Sequence, residues 1–331
     1  MEIRVCLVSL LRNSHRNLSC LALYSFLRAE GIPTDLLFLP REEEYDEEKF
    51  LGFLREKSVT VVGISVMTDN VGFAGKLSRA VHCSLPGIHI IWGGIHPTLE
   101  PFACLDQADS VFVGEGEPSM IRFLNCLRDG KVPQGLAGVV TRETKKNGLQ
   151  APPKRVDTLD SLPVITYEWD SFYVQDAQSL RRFNPTEYAR YSNYSGEDYT
   201  LMATRSCPFS CAFCCNSFLN ELYGTKGEVR RRSVAHVLKE IDQARKMIPN
   251  LKFINFIDDQ FLTARNWNDE FCSEYKKRVG LPFIIRLTPG TFRSEDLAGL
   301  KEAGLRFVQI GLQSGSPRTN KEIFGRRFSR K

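Results

Sequence analysis

Three cysteines within one short stretch are the residues of this chain best suited to chemistry. Cys207, Cys211 and Cys214 follow an apolar run that is typical of a β-strand. Thiolates this close together can hold one inorganic centre. A structural zinc site would need a fourth ligand, often from a second cysteine pair about 15–20 residues further on, but after Cys215 the next cysteine is Cys272. Three thiolates instead suit a 4Fe–4S cluster that leaves one iron open to another ligand.

The spacing Cys-x3-Cys-x-Phe-Cys, with Phe213 before its third cysteine, resembles the cluster loop of radical S-adenosylmethionine (SAM) enzymes. The resemblance implies that Cys207, Cys211 and Cys214 bind the cluster and that its free iron chelates the amino and carboxylate groups of SAM. In that family, an electron from the cluster cleaves SAM to a 5′-deoxyadenosyl radical. Cys215 lies outside the pattern and is expected to be a packed thiol. Buried structural cysteines or a zinc loop would not account for the phenylalanine and the leading strand.

The bulk composition narrows the class of protein. The 331 residues suffice for two domains, and a hydrophobic content of 42% supports substantial cores. A net charge of +5, with basic residues spread along the chain, is too small to argue for a nucleic-acid partner. Ten cysteines without a secretory signal favour a reducing compartment, so a cytoplasmic location is expected. No apolar run reaches the roughly 18 residues that a membrane span needs.

Strand-like and helix-like segments alternate through residues 1–135, beginning with the apolar run 3–10. Uncharged runs such as 59–66 are typical of parallel strands that helices cover on both faces. The predicted fold is therefore α/β, with a doubly wound, flavodoxin-like sheet. The loop after the first strand has no glycine, so the Gly-x-Gly-x-x-Gly fingerprint of a dinucleotide site is missing.

Sheets of this kind bind ligands at the carboxyl ends of their strands. The segments Gly-Gly-Ile-His-Pro-Thr at 93–98 and Val-Phe-Val-Gly-Glu-Gly-Glu at 111–117 resemble the cobalamin-binding domain that precedes many radical SAM barrels. The resemblance implies that a serine after the third strand bonds the buried dimethylbenzimidazole tail, and that two glycines after the fourth strand let the backbone approach it. The expected cobalamin contacts are Ser65, Thr68, Gly93, Gly94 and His96.

His15 lies in the first loop, within Asn-Ser-His-Arg-Asn-Leu at 13–18. Cobalamin-dependent mutases and methionine synthase carry Asp-x-His-x-x-Gly there, and the histidine is the lower cobalt ligand. Here Asn13 and Leu18 replace the aspartate and the glycine. A carboxylate normally orients a metal-bound histidine. Two interpretations of His15 therefore stay open: a cobalt ligand, or a loop residue in solvent or near the corrin ring.

Residues 136–198 are predicted to be a hairpin and a linker. The run 137–141 predicts a strand and 145–148 a turn, whereas 164–198 are aromatic and polar without a clear period. From 199 to 331 strands and helices alternate again, and the resemblance implies the N-terminal part of a radical SAM (β/α) barrel. Four barrel strands are present where the family has six. Three explanations stay open: the sequence is a fragment, a partner completes the barrel, or the barrel is a degenerate remnant.

Polar residues also follow the strands of this second half. The segment Phe-Ile-Asp-Asp-Gln-Phe at 256–261 lies where the family contacts the amino group of SAM, and an arginine after the third strand is placed to meet the SAM carboxylate. Gly-Leu-Gln-Ser-Gly-Ser at 311–316 resembles the family segment Gly-Ile-Glu-Ser-Gly-Ser, with glutamine in place of glutamate. The alternative for the aspartates is a capping pair at a turn. The expected SAM contacts are Asp258, Asp259, Arg286, Gln313 and Ser314.

The resemblance as a whole implies a cobalamin-dependent radical SAM enzyme, with methyl transfer to an unactivated carbon as the favoured reaction. Two alternatives are a radical ring closure or rearrangement on a tetrapyrrole-like or natural-product substrate, and a non-catalytic cobalamin-binding fragment with a vestigial barrel. The implied cofactors are a 4Fe–4S cluster, SAM and cobalamin, which would carry the difficult chemistry. The implied partners are a small-molecule substrate and an external electron donor such as flavodoxin or ferredoxin.

Overall fold

The computed structural model describes residues 2–149, 151–192, 194–225, 228–262 and 264–326. The chain divides into two compact units. The first unit comprises residues 1–156 and 165–193, and the second unit comprises residues 157–164 and 194–331.

An eight-stranded sheet forms the centre of the first unit. Its strands are β1 Val5–Ser9, β2 Thr34–Phe38, β3 Val61–Ser65, β4 His89–Gly93, β5 Ser110–Phe112, β6 Val139–Thr141, β7 Phe172–Gln175 and β8 Leu180–Arg182. Its α-helices are α1 Leu18–Ala29, α2 Glu47–Glu56, α3 Val71–Ser84, α4 Ile95–Leu99, α5 Pro101–Cys104, α6 Glu117–Arg128 and α7 Pro185–Arg190. Short 3-10 turns lie at Glu42–Glu44, Thr68–Asn70 and Lys145–Asn147.

The strand order is β6-β5-β4-β3-β1-β2-β7-β8. The five strands β5-β4-β3-β1-β2 each pair in parallel with their neighbours. All five residues of β1 are buried. This confirms the predicted doubly wound α/β sheet. The chain passes from β1 to β2 on one side and then returns to β3 on the other side. A crevice for a ligand is expected where the strand order reverses, at the carboxyl ends of β1 and β3.

The segment predicted to be a hairpin and a linker instead extends this sheet, so the hairpin prediction was wrong. Strand β6 pairs antiparallel with β5, while β7 pairs in parallel with β2 and then antiparallel with β8. Aromatic side chains such as Phe172 and Phe183 are fully buried. The local pattern predicted the strand at 137–141 and the turn at 145–148, which the structure contains as β6 and a 3-10 turn. It did not predict the pairing, because the strand partners lie far away in the sequence.

A four-stranded parallel sheet in the order β14-β13-β12-β9 forms the second unit, together with the antiparallel pair β10-β11. Its strands are β9 Asp198–Leu201, β10 Thr204–Arg205, β11 Arg230–Arg231, β12 Phe253–Phe256, β13 Phe283–Leu287 and β14 Leu305–Ile310. Its helices are α8 Cys215–Leu222, α9 Val234–Met247, α10 Arg265–Arg278 and α11 Ser294–Ala303, with a 3-10 turn at Leu159–Ser161 and a π turn at Thr319–Ile323.

Aromatic packing holds the helices of the second unit on the sheet. Phe256 and Phe283 of the strands contact Phe271 and Tyr275 of α10, and all four side chains are fully buried. The strand–helix alternation therefore places the loops after the strands at a single edge of the sheet. Among the described residues, no helix combines the length and the apolar composition that a membrane crossing requires.

Candidate functional site: a three-cysteine cavity and a strand-end crevice

The three cysteines of the motif line the same cavity in the second unit. The cavity has a volume of about 380 Å³ and lies between the loop after β10 and the ends of β13 and β14. Phe209 and Phe213 of the loop also line it, on the same side as the thiols. The opposite side is formed by polar residues that lie at or beyond the ends of the strands. These are Asp259, Arg286, Thr288, Gln309, Gln313 and Arg326.

Helix α8 fixes the cysteine loop through side chains that bind its carbonyl groups. The Asn220 amide donates to the carbonyl oxygens of Cys207 at 2.9 Å and Phe209 at 3.4 Å. The Ser217 hydroxyl donates to the carbonyl oxygen of Cys211 at 2.6 Å. These bonds satisfy backbone groups that a tight loop cannot pair within itself, so the thiols are held in place before any ligand binds.

The surroundings of the three thiols differ. Burial raises the pKa of Cys207 to about 11, and it also raises the pKa of Cys211 against the opposing effect of the Arg326 guanidinium. A hydrogen bond from the Cys215 thiol lowers the pKa of Cys214. Because the thiolate is the form that binds metals, iron binding at this loop must displace protons from Cys207 and Cys211.

Cys215 is exposed at the first position of α8. The expectation of a packed thiol was therefore wrong. The side chain does not line the cavity, although it follows Cys214 directly in the sequence. Its place at the start of a short surface helix explains the exposure.

The residues present fit a three-cysteine cluster. Three thiols, two aromatic rings and a polar opposite side surround a volume within the range of small-molecule sites. The cysteines of a cuboidal cluster each bind a different iron and so stand further apart than the ligands of a single ion. In the part of the chain that the structure describes, no three His, Cys, Asp or Glu side chains converge on a single-ion site.

Three of the five expected SAM contacts line this cavity, namely Asp259, Arg286 and Gln313. Loss of solvent raises the pKa of the Asp259 carboxyl, while the Asn216 side chain and the Arg286 guanidinium oppose that rise. The Arg286 Nε donates to Gln309 Oε1 at 3.0 Å. The carboxylate and the guanidinium thus face the same space as the thiols, which suits a ligand that carries both an ammonium and a carboxylate.

Asp258 and Ser314 do not line the cavity. Asp258 is fully buried, and its Oδ1 accepts hydrogen bonds from the backbone N–H and the hydroxyl of Thr204 at 2.6 and 2.5 Å. Burial raises the pKa of this carboxyl to about 6. Ser314 accepts the Asn320 amide on its carbonyl oxygen at 2.7 Å. Both residues form hydrogen bonds to neighbouring segments, Asp258 to Thr204 and Ser314 to Asn320.

Arg326 is a cavity residue that the sequence motifs did not reveal. Its side chain lines the cavity, donates from Nη1 to the carbonyl oxygen of Gly311 at 2.8 Å, and lies 5.9 Å from the ring centroid of Phe213. The residue is only 8% exposed. Gly325 before it has a φ of +65° and turns the chain toward the cysteine loop. That glycine is the signal that the sequence offered for a turn at this point.

The expected cobalamin contacts gather at the carboxyl ends of β3 and β4. Ser65 and Gly93 are direct partners in the parallel register. Gly94 has a φ of +106°, and a Cβ added there would lie 2.8 Å from the carbonyl oxygen of Val66. Glycine is therefore required at this position by the neighbouring backbone, independently of any ligand.

Hydrogen bonds connect the loops at this edge. The Thr68 hydroxyl and His96 Nδ1 lie 3.3 Å apart. The Thr98 hydroxyl donates to the carbonyl oxygen of Gly94 at 2.7 Å and accepts the backbone N–H of Gly114 at 2.9 Å. The structure thus brings Ser65, Thr68, Gly93, Gly94 and His96 into one region of the sheet edge.

His15 lies apart from this group and is only 1% exposed. Its ring contacts the rings of Tyr188 at 4.2 Å, Phe183 at 5.5 Å and Tyr167 at 5.7 Å, and its Nδ1 lies 3.0 Å from the Tyr167 hydroxyl. Burial, followed by the nearby Arg16 guanidinium, lowers the pKa of His15 to about 3. In the loop after β1, the side chain of His15 is therefore packed into an aromatic cluster and is not exposed to solvent.

The strand-end crevice also fits the group that the fold implies. The Ser9 hydroxyl at the end of β1 is buried, and it has no hydrogen-bond partner among the residues that the structure describes. It lies beside Ser65 at the reversal of the strand order. A buried hydroxyl without a partner is unfavourable, so this edge is suited to a ligand that brings hydrogen-bond acceptors.

Two family models match the chain. Residues 4–124 match the B12 binding domain, and residues 201–331 match the radical SAM superfamily. The chain combines a B12-binding domain with a radical SAM domain. This confirms the family that the cysteine motif and the strand-end segments predicted.

Two curated relatives are similar over most of the chain. An uncharacterized methyltransferase of Pyrococcus horikoshii is 23% identical over 262 residues, which are 78% of this chain and 52% of that protein. An anaerobic magnesium-protoporphyrin IX monomethyl ester cyclase of Rubrivivax gelatinosus is 24% identical over 308 residues, which are 89% of this chain and 51% of that protein. The chain spans about half the length of these curated relatives.

A solved structure shares the fold. The radical SAM methyltransferase TsrM from Kitasatospora setae, solved with cobalamin and a [4Fe-4S] cluster bound, matches with a TM-score of 0.77 and 16% identity. The match covers 99% of this chain and 63% of that one. It confirms the predicted fold class of a cobalamin-binding domain followed by part of a radical SAM barrel.

Proposed function

We propose that this chain is, or is part of, a cobalamin-dependent radical SAM enzyme that transfers a methyl group to a small-molecule substrate. The observation that carries the proposal is the cavity in which three motif cysteines face Asp259, Arg286 and Gln313. When bound, a 4Fe–4S cluster would supply the electron that cleaves SAM to a 5′-deoxyadenosyl radical, and cobalamin would supply the methyl carrier.

The residues of the chain bind and orient these groups. Cys207, Cys211 and Cys214 hold the cluster, and the bonds from α8 keep their loop fixed. Asp259 is the contact for the SAM ammonium group, because it is the carboxylate of the Asp258–Asp259 pair that lines the cavity. Gln313, which has a φ of +55°, offers an uncharged amide to a hydroxyl or an amine.

Two guanidinium groups are placed to receive the SAM carboxylate. Arg286 is exposed and already bonded to Gln309, whereas Arg326 is buried and held by Gly311 and Phe213. A preorganised cation loses less side-chain entropy when it binds an anion. We therefore assign the carboxylate first to Arg326, with Arg286 beside it.

An external one-electron donor and a small-molecule substrate complete the proposed reaction. Methyl transfer is favoured because a curated relative and the solved structure with the same fold are both named as methyltransferases. The similarity to a cyclase supports ring closure as the second candidate. A vestigial, non-catalytic barrel is disfavoured, because a degenerate domain would have no reason to keep three cysteines and their supporting bonds.

A labelled turnover experiment separates these possibilities. The anaerobically reconstituted chain would be incubated with dithionite, methyl-deuterated SAM and candidate substrates. Methyl transfer predicts both 5′-deoxyadenosine and S-adenosylhomocysteine, with the deuterated methyl group in the product. Ring closure predicts 5′-deoxyadenosine without S-adenosylhomocysteine. Absence of both products, in a chain that retains its iron, would contradict the proposed function.

A further inference from the structure

The end of β1 carries a hydroxyl group that the fold itself does not use. Ser9 is 1% exposed, and its Oγ makes no hydrogen bond to any residue that the structure describes. Other buried serines in the first unit do have partners: Ser78 accepts the Trp92 indole N–H at 3.0 Å, and Ser25 accepts the backbone N–H of Thr166 at 3.2 Å. A buried hydroxyl without a partner needs an explanation.

Ser9 belongs to a row of residues at the carboxyl ends of three adjacent strands. In the parallel register Ser9 of β1 lies beside Ser65 of β3, and Ser65 lies beside Gly93 of β4. Register partners in a parallel sheet point to the same face. Two hydroxyls and one position without a side chain therefore share one face, at the place where the strand order reverses.

Helix α1 identifies which face this is. The Cys20 thiol of α1 donates to the carbonyl oxygen of Val8 at 3.8 Å and interacts with the Ser65 hydroxyl. Gly116, just before α6, lies close to the same helix, because a Cβ added there would be 3.9 Å from Leu23 Cδ1. The row thus lies beside α1, at the carboxyl ends of the strands.

The row of Ser9, Ser65 and Gly93 suits a flat heteroaromatic ring that can accept hydrogen bonds. Phe38, which pairs with Ser9 on its other side, supplies an aromatic wall, and the glycine leaves space over the sheet. The two hydroxyls supply directional hydrogen bonds in apolar surroundings, where such bonds discriminate strongly between ligands that can and cannot accept them.

We propose that Ser9 is a binding residue for the benzimidazole-nucleotide tail of cobalamin, to which it donates a hydrogen bond from the face that it shares with Ser65. This inference rests on the proposed cobalamin site and adds to it a residue that neither motif of the domain contains. The corrin ring itself would not contact Ser9, because the residue lies inside the unit and not at its surface.

Cobinamide, which has the corrin ring but lacks the nucleotide tail, gives the decisive comparison. The dissociation constants of hydroxocobalamin and aquacobinamide would be measured on the full chain by the change in visible absorbance. We expect Ser9→Ala to weaken cobalamin binding about threefold to tenfold, the usual effect of losing one buried hydrogen bond, and to leave cobinamide binding unchanged. Ser9→Cys keeps the size but provides only a weak donor, so it should show the same selective loss.

Ser78→Ala is the matched control, because it also removes a buried serine hydroxyl from the first unit. It should lower the melting temperature and leave the ratio of the two dissociation constants at the wild-type value. An unchanged ratio in Ser9→Ala and Ser9→Cys would overturn the role of Ser9 while the cobalamin site stands. If the wild-type chain bound neither ligand, the proposed function would fail at the cobalamin site, and this inference would fail with it.

Discussion

Cys214 and Cys215 are adjacent thiols with different places in the structure. Cys214 lines the cavity together with Cys207 and Cys211, whereas Cys215 is exposed at the start of α8. The chain thus offers a matched pair of substitutions, one at a proposed ligand and one beside the ligands. The resemblance of the spacing to the family's cluster loop assigned the ligands to the first three cysteines of the run, and of the two adjacent thiols it is that of Cys214 that lines the cavity.

We expect Cys207→Ala to abolish iron binding, because a loop with two thiolates leaves a second iron without a protein ligand. Cys215→Ala should retain the wild-type iron content. The measurement is iron per chain after anaerobic reconstitution and desalting, with circular dichroism to confirm that both variants are folded. Equal iron loss in the two variants would contradict the assignment.

His15 should make the stability of the first unit depend on pH. Its pKa of about 3 in the folded chain lies below the ordinary value of 6.5, so the unfolded chain takes up a proton that the folded chain does not. The contribution to stability is complete above pH 6.5 and is lost progressively as the pH falls toward 3. Between pH 7.5 and 5 the loss amounts to about 2 kcal/mol.

The variant His15→Phe tests this dependence, because it removes the titration and keeps an aromatic ring among Tyr167, Phe183 and Tyr188. Urea unfolding of the apoprotein at both pH values should show a smaller acid destabilisation in the variant than in the wild type. If the wild type and the variant lost the same stability between the two pH values, His15 would bind protons equally well in the folded and unfolded chains. That result would contradict the prediction. The visible spectrum of bound cobalamin should be unchanged if the His15 ring keeps its place among these aromatic side chains in the loaded protein.

At the scale of elements, α8 holds the cysteine loop from one side. Asn220→Ala would leave the carbonyl groups of Cys207 and Phe209 without their side-chain donor, at a cost of about 1–3 kcal/mol. We expect the reconstituted variant to lose iron to a chelator several times faster than the wild type, although its three cysteines are intact. Asn125→Ala on α6 is the control and should release iron at the wild-type rate.

The loop after β4 depends on a glycine. Gly94→Ala places a Cβ 2.8 Å from the carbonyl oxygen of Val66 at a φ of +106°, so the chain must shift, at a cost of about 1–3 kcal/mol. Thermal unfolding should show this loss, together with weaker cobalamin binding. Gly52→Ala in α2 meets no atom within 4 Å and should be neutral or slightly stabilising. Equal effects of the two substitutions would argue against a special role for the β4 loop.

The elements that the sequence predicts well are those defined by their own residues. Strand β3, for example, lies within two residues of the ends of the predicted run 59–66, because an uncharged apolar run is a local signal. Strands β6 and β8 were not predicted with their partners, since sheet pairing joins distant segments. A three-residue edge strand carries too little pattern to reveal its neighbour.

The same distinction applies to the site. The cysteine triad is local, so its spacing alone identified the residues that line the cavity. Asp258 was grouped with Asp259, but its partner Thr204 is 54 positions away in the sequence, and only the structure shows that bond. Arg326 was missed for the same reason, because Gly311 and Thr288, which hold it, belong to other segments.

At the scale of the whole molecule, each unit carries a site built from its own residues. The cysteines and the SAM contacts belong to the second unit, and the strand-end residues belong to the first. We therefore expect the two cofactors to load separately. Cys207→Ala should retain cobalt while losing iron, and Gly94→Ala should retain iron while binding cobalamin more weakly. Simultaneous loss of both metals in either variant would contradict this separation.

The most direct test of the account is cofactor stoichiometry combined with SAM cleavage in the wild-type chain. The chain would be reconstituted anaerobically with iron, sulfide and hydroxocobalamin, and 5′-deoxyadenosine would be assayed with SAM and dithionite. We expect about four irons and one cobalt per chain, with 5′-deoxyadenosine formed only when the iron is present. A chain that bound cobalt, bound no iron and formed no 5′-deoxyadenosine would contradict this expectation. It would be a cobalamin-binding protein without radical chemistry.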